Sequence, residues 1–289
     1  MLKLDGVTKV YKVGTFGGKQ LTAVRDLTFE LSPGEVVSLI GESGSGKTTV
    51  GKMILRLTPV TAGTITFDGN DVSRLERGRL KAYYGEVQGV FQDPFSSYNP
   101  IFKVDRIFTM LRGAYFRGLG RAEWERKLEA SLHAVGLEPS AALQKYPHQL
   151  SGGQLQRLLI ARALLLDIKY LVADEIISML DASTRIDVLN LLGELKARGL
   201  GVLFITHDLS LGHYISDRTM ILRKGTVVEL GPTASVFGNP RHAYTQLLLD
   251  SVPQLHTRWS GDGPGRSDDA DEHPSPTLVE VEPGHFVAT

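Results

Sequence analysis

Nine consecutive residues, Gly41-Glu42-Ser43-Gly44-Ser45-Gly46-Lys47-Thr48-Thr49, carry the chemistry most easily read from this chain. They fit the pattern G-x-x-x-x-G-K-[ST] through Gly41, Gly46, Lys47 and Thr48. Glycines let a backbone curl until its N–H groups point at phosphate oxygens. A helix that starts at the loop adds the partial positive charge of its N-terminus. In such a loop Lys47 bridges the β- and γ-phosphates of a nucleoside triphosphate, and the Thr48 hydroxyl ligates Mg²⁺. A glycine-rich turn that matches by chance is the competing reading. The setting opposes it, since the apolar run VVSLI (36–40) precedes the loop and the helical stretch TTVGKMILRL follows.

A second group of residues suits the same chemistry. In YLVADE (170–175) an apolar strand delivers Asp174 and Glu175 at its C-terminal end, where α/β sheets place ligands. Asp174 suits Mg²⁺ through water, and Glu175 suits polarising an attacking water. Alone, two adjacent acids read equally well as the cap of a strand end; beside a phosphate loop that reading weakens. A third group, Leu150-Ser151-Gly152-Gly153-Gln154, sits at the start of a helical run. Physically it is a second phosphate-binding nest, or a simple N-cap followed by two permissive glycines.

The elements that position these groups follow from pattern. VVSLI, YLVAD and VLFIT (202–206) read as buried strands. QLQRLLIARALLL (154–166) and TRIDVLNLLGELKARG read as helices, the second with a glycine stop. Such alternation predicts a mainly parallel sheet with helices on its faces. LKLDGVTKVY and AVRDLTFEL read as strands joined through the loop GTFGGKQ, and TAGTITFDGNDV (61–72) as a hairpin. GVF (89–91) ends another strand, and residues about 100–147 are mostly helical.

Bulk properties remove several function classes. With 289 residues the chain has room for one large domain and an appendage. Lys plus Arg equals Asp plus Glu at 32 each, without the basic excess usual in nucleic-acid binders. The sequence contains no cysteine, which removes disulfides, thiol catalysis and Cys-ligated metal centres. No apolar run approaches the roughly 20 residues that span a bilayer. The start MLKLDGVTKVYKVG lacks the apolar stretch of a signal peptide, so a cytoplasmic location is expected and a membrane role needs partner chains.

LSGGQ at 150–154, placed between the phosphate loop and the apolar-Asp-Glu strand, resembles the signature of the ABC ATPases. That resemblance implies an α/β fold: a P-loop NTPase (RecA-like) core with an antiparallel β subdomain, a helical signature subdomain and a short C-terminal extension. It implies ATP and Mg²⁺ as cofactors. Catalytic roles fall to Glu175, to His207 in FITHDL as the switch histidine, and to Gln92 in VFQDP as the Q-loop glutamine. Nucleotide contacts fall to Gly41, Ser43, Gly44, Ser45, Gly46, Lys47, Thr48 and Thr49. Tyr11 is expected to stack on adenine. Ser151, Gly152, Gly153 and Gln154 complete the site of a facing subunit, with Asp181 in SMLD as the D-loop aspartate. The expected metal contacts are Thr48, Gln92 and Asp174.

The segment GTVVELGPTASVFGNPRHAYTQLLLDSVP (225–253) is similar to the extension of ATPases from oligopeptide and dipeptide importers, and FQDPFSSYNP (91–100) fits the same subfamily. The implied division is an ATPase domain over 1–255 with its helical part at about 93–155, an extension at 225–259, and a flexible linker plus short terminal strand at 260–289. The implied partners are a second, different ATP-binding subunit, two transmembrane permease subunits and an extracytoplasmic solute-binding protein, with no nucleic acid. The implied place is the cytoplasmic face of the plasma membrane. An oligosaccharide cargo stands as an alternative to peptides. A non-transport ATPase on DNA or ribosomes is disfavoured, since only 104 positions separate Lys47 from Ser151 and no coiled-coil insertion fits there. A regulatory subunit with little turnover is a third reading. Three departures stand out: Glu175-Ile176-Ile177 where the family has Glu-Pro, Met179 where Ala is common, and His242-Ala243-Tyr244 where the extension has His-Pro-Tyr.

Overall fold

The structure, a computed structural model, describes residues 1–13, 18–251 and 277–289. The expected loop at 14–17 and the expected linker up to 276 lie outside the described residues. The strands are β1 (Leu2–Val13), β2 (Lys19–Leu31), β3 (Val36–Ile40), β4 (Ala62–Phe67), β5 (Asn70–Asp71), β6 (Val87–Val90), β7 (Tyr170–Asp174), β8 (Gly201–Thr206), β9 (Arg218–Arg223), β10 (Thr226–Pro232), β11 (Leu278–Glu282) and β12 (His285–Ala288). The helices are α1 (Lys47–Ile54), α2 (Arg77–Glu86), α3 (Asp105–Tyr115), α4 (Arg121–Ala134), α5 (Pro139–Ala142), α6 (Gly152–Leu164), α7 (Ala182–Ala197), α8 (Leu209–Ile215), α9 (Thr233–Gly238) and α10 (Ala243–Asp250). Among the described residues no helix is long and apolar enough to cross a membrane.

Two compact units result. The first comprises Met1–Glu30, Val37–Ser73 and Ile205–Thr289; the second comprises Leu31–Val36 and Arg74–Phe204. In the first unit β2-β1-β4-β5 form a sheet in that order. The β4–β5 hairpin turns on Asp68 and Gly69, both at positive φ. An Asp-Gly pair supplies that conformation at little cost, so the expected hairpin forms. Beside this sheet, β3 and β9 pair in parallel, and β10, β12 and β11 continue antiparallel. The expected parallel pairing holds for β3 and β9, and the antiparallel strands β10, β12 and β11 are added beyond them. The turn Lys224-Gly225 is too short for a crossover helix and reverses the chain at once.

The helices α8, α9 and α10 bury Leu209, Val236 and Tyr244 in one apolar cluster with Ile40, Ile221 and Val228. Residues 228–249 of the expected extension thus contribute to this unit's core. The expected single terminal strand is instead the hairpin β11–β12, because Pro283-Gly284, with Gly284 at φ 73°, turns the chain back. A buried hydrogen bond fastens the hairpin. His285 Nε2 lies 2.7 Å from Glu229 Oε1 on β10, and both side chains are essentially fully buried. The Arg241 and His242 N–H groups donate to the two oxygens of Glu229 at 2.9 and 3.0 Å. Removing the buried carboxylate leaves its buried partner His285 and the two partly buried N–H groups without an acceptor. Glu229→Ala is expected to cost about 3 kcal/mol, read by chemical denaturation, with faster amide exchange at 241–242 and 285–288.

In the second unit β8, β7 and β6 are neighbours, β6 and β7 pairing in parallel. Every residue of β7 and β8 is buried, in keeping with their mainly apolar runs. Helices α2 to α7 complete it. The helix α2 had no sequence signal: RGRLKAYYGE is polar nearly all round, and only Tyr83 is buried.

Candidate nucleotide site

In the first unit the wholly buried β3 ends at Ile40 and delivers the loop 41–46 to the start of α1. The loop has its curled shape because three glycines permit it. A Cβ on Gly41 would stand 2.2 Å from the Leu222 carbonyl oxygen and 2.8 Å from Ser45 Oγ; one on Gly46, at φ 105°, would stand 2.2 Å from the Ala23 carbonyl oxygen. Gly44, at φ 81°, faces open space. The α1 N-cap is Gly46, which offers no side-chain acceptor to the first-turn N–H groups, so that turn is suited to an anion. Lys47 is almost buried, and its ammonium donates to the carbonyls of Gly41 (2.7 Å) and Glu42 (2.8 Å). Ser43, Gly44 and Thr48 are exposed and Thr49 is half-buried. Ser45 Oγ is buried without a hydrogen-bond partner among the described residues.

Sequence reasoning missed the residues that brace this loop. The Gly225 N–H donates to the Ser45 carbonyl (2.9 Å), and the Arg25 N–H donates to the Gly225 carbonyl (2.8 Å). From the extension, Tyr244 Oη accepts the Glu42 N–H at 3.4 Å, and burial raises the Tyr244 phenol to about 12. Lys224-Gly225 is legible as a turn, but nothing local says which carbonyl it reaches. His207 is exposed and follows the last buried residue of β8. Asp208 behind it caps α8, accepting from Ser210 and Leu211. Tyr11 is half-buried on β1, with the Lys9 ammonium 4.9 Å from its ring centre.

The second unit holds the other candidates. Ser151 caps α6 in a reciprocal box: its Oγ accepts the Gln154 N–H (3.2 Å), and Gln154 Oε1 accepts the Ser151 N–H (3.0 Å). A Cβ on Gly153 would stand 2.9 Å from Thr184 Cγ2, so the 151–154 turn packs on the start of α7. Asp181 caps α7, accepting from the Thr184 N–H and the Ser183 and Thr184 hydroxyls. Those donors hold its carboxyl well below the usual carboxylate range. This unit therefore brings the LSGGQ turn and the Asp181 loop together.

Asp174 is buried at the end of β7, and Glu175 takes φ 50°, a left-handed conformation that side chains rarely adopt. The missing proline after Glu175 does not leave the loop loose. Ser178 donates to the Glu175 carbonyl through both its N–H (3.1 Å) and its hydroxyl (2.9 Å). Ile176 and Ile177 are buried, and the Arg185 guanidinium donates to the carbonyls of Leu180 (2.8 Å) and Ser178 (3.2 Å). Met179 is exposed. Gln92 is exposed in the loop that leaves β6. Beneath that loop Arg162 of α6 donates to the Gly89 carbonyl at 2.9 Å; burial lowers the Arg162 guanidinium and raises the nearby Tyr98 phenol.

A family model described as "ABC transporter" matches residues 24–178, which is more than half of the chain. The chain belongs to the ABC transporter family. A second model, "Oligopeptide/dipeptide transporter, C-terminal region", matches residues 228–275. The oligopeptide transport ATP-binding protein OppF of Streptococcus pyogenes is 41% identical over 94% of this chain and 90% of its own length. The glutathione import ATP-binding protein GsiA of Salmonella typhimurium is 40% identical over 93% of this chain; there the chain spans 45% of the relative's length. Among solved structures, the ATP-binding cassette MJ0796 in a dimeric post-hydrolysis state with ADP and phosphate is 30% identical, with a TM-score of 0.72 over 81% of this chain and 99% of that one. The cbiO1 subunit of Clostridium perfringens is 25% identical, with a TM-score of 0.70 over 82% and 90%. The expected P-loop NTPase fold is therefore the fold of this ABC cassette.

Proposed function

We propose that this ABC ATPase binds ATP with Mg²⁺ and hydrolyses it to power an importer of oligopeptides or dipeptides. The observation that carries the cargo class is the match of residues 228–275 to the peptide-transporter C-terminal region, whose described residues up to 251 include Val228, Val236 and Tyr244 of the core cluster with Ile40. Likeness to OppF over nearly both whole chains supports it.

The residues fit the implied cofactors. The buried, unpartnered Ser45 hydroxyl and the uncapped first turn of α1 suit phosphate oxygens. Thr48, Gln92 and Asp174 offer hard oxygen donors, which Mg²⁺ requires. Bound Mg²⁺ would screen the charge that builds on the phosphates during transfer. Lys47 and the loop N–H groups then hold the β- and γ-phosphates, Ser43 to Thr49 line them, and Tyr11 offers a face to the adenine. Glu175 takes the proton of the attacking water, and His207 contacts the γ-phosphate. Gly152 and Gly153 present N–H groups, and Ser151 a hydroxyl, to the nucleotide of a facing subunit; Gln154 holds the turn through the capping box, with Asp181 steadying its α7 end.

The proposed assembly has a second, different ATP-binding subunit, two permeases and an extracytoplasmic solute-binding protein, with this chain peripheral at the cytoplasmic face of the plasma membrane. Affinity purification from the native membrane, followed by mass spectrometry, tests it. Two multi-span permeases, a second ATPase and a binding protein loaded with peptide are expected. Ribosomes, nucleic acid or no membrane partner would remove the transport reading, and a bound sugar would remove the peptide reading.

Ser151 gives a prediction of smaller size. Ser151→Ala removes the acceptor of the capping box and is expected to lower stability by about 1 kcal/mol. Its effect on ATP turnover is expected to exceed its effect on ATP binding, measured by phosphate release against nucleotide affinity.

A further inference from the structure

The first unit contains a cavity of about 350 Å³ that none of the motifs uses, walled by Asp26, Thr28, Thr226, Val227, Leu230, Leu278 and Phe286. Its walls come from β2, from β10 and from the C-terminal hairpin. The volume is in the range that takes small organic ligands, and the chemistry is that of such sites: a mainly apolar wall with few polar groups. Val227, Leu230, Leu278 and Phe286 give the apolar part. The polar part is unusual in two ways. Thr226 is 1% exposed and its hydroxyl has no hydrogen-bond partner among the described residues, a cost that a ligand polar atom would relieve. Asp26 is an exposed carboxylate with no ion pair among the described residues. Its backbone is held at φ 47°, and its N–H donates to Thr8 Oγ1 at 3.0 Å, so the main chain that carries the carboxylate is fixed.

The cavity also adjoins the phosphate loop through the backbone. Asp26 follows Arg25, and Thr226 follows Gly225. The Arg25 N–H donates to the Gly225 carbonyl, and the Gly225 N–H donates to the Ser45 carbonyl. Two wall residues are therefore covalent neighbours of the two residues that brace Ser45. An occupant touching both walls would restrict the same brace that sets the loop's shape.

We propose that this cavity binds a small organic ammonium compound with a branched aliphatic or aromatic arm, and that its occupation tightens ATP binding. The ammonium pairs with the Asp26 carboxylate, the arm lies against Leu230, Leu278 and Phe286, and the hydroxyl of Thr226 takes a polar atom of the ligand. Coupling follows because a loop already held in its binding shape loses less freedom when the nucleotide arrives. The coupling rests on ATP binding at residues 41–49; the cavity itself does not.

The test uses the full chain and 2-phenylethylamine as the probe, with 3-phenylpropionate as a control of similar size and opposite charge. Calorimetry without nucleotide is expected to show binding of the amine and not of the acid. Asp26→Asn is expected to abolish it, and Leu278→Trp, which fills the cavity from the hairpin side, is expected to abolish it independently. Saturating amine is expected to lower the ATP dissociation constant about fivefold, the low end of ordinary coupling between two sites. Failure of the amine to bind, or binding that survives Leu278→Trp, overturns the site. Binding of the amine without a change in ATP affinity overturns the coupling. ATP affinity measured with no amine present tests the nucleotide reading separately.

Discussion

Glu175→Gln is expected to slow ATP hydrolysis about 10²- to 10³-fold, the usual contribution of a positioned general base, while ATP affinity stays within about twofold of the unsubstituted chain. The substitution keeps the shape of the side chain, and removes its negative charge and with it its ability to take a proton. It keeps the backbone strain as well: Glu175 lies at φ 50°, and Gln meets the same steric cost there. The 175–181 turn is held by Ser178, Arg185 and the buried Ile176 and Ile177, none of which is altered. Phosphate release gives the rate, and a fluorescent nucleotide gives the affinity. Hydrolysis at the unsubstituted rate would place the base elsewhere. A joint loss of rate and affinity would show instead that Glu175 shapes the site.

Gly46→Ala is expected to damage both fold and site. The added Cβ meets two independent costs: a left-handed φ of 105° and a backbone oxygen, that of Ala23, at 2.2 Å. The first costs on the order of 1–3 kcal/mol. The second cannot be met by turning a side chain, since the obstacle is main chain. Together they are expected to lower stability by about 4 kcal/mol, which is diagnostic for a single substitution. The ATP dissociation constant is expected to rise more than about tenfold because the first turn of α1 must move away from the loop. Gly44→Ala supplies the control. That position has the strained φ of 81° and open space around it, so a loss of only about 1 kcal/mol is expected. Denaturant unfolding of both variants separates strain from clash. Equal losses would mean that the close approach at Gly46 is unimportant.

The sequence made this site legible wherever the chemistry was local. GESGSGKTT, YLVADE and LSGGQ are continuous strings, and their roles depend on neighbours a few residues away. VVSLI, YLVAD and VLFIT (202–206) announced buried strands because burial on both faces leaves the run mostly apolar, with Ser38, Asp174 and Thr206 the exceptions. Features made by distant residues stayed hidden. Gly225 reaches Ser45 from 180 positions away in the chain, and Glu229 meets His285 across 56; no local pattern encodes either partner. The helix α2 was invisible because it buries almost nothing and so has no periodicity. The left-handed backbone of Glu175 was invisible because nothing in the side chain asks for it. The terminal hairpin was read as one strand because Pro283-Gly284 marks a break equally well whether the chain stops pairing or folds back.

That hairpin leaves β11 as the outermost strand on its side of the sheet. An outer strand is a template on which a stray chain can add itself and seed an aggregate. Val279 and Val281 are exposed along it, which invites such growth. Two features discourage it. The strand has only five residues, and acids alternate with the valines: Glu280 accepts the Gly284 N–H within its own turn, and Glu282 pairs with Arg241. The rim of the cassette is thereby short and negatively charged, so the segment that closes the fold also protects it against unwanted growth of the sheet.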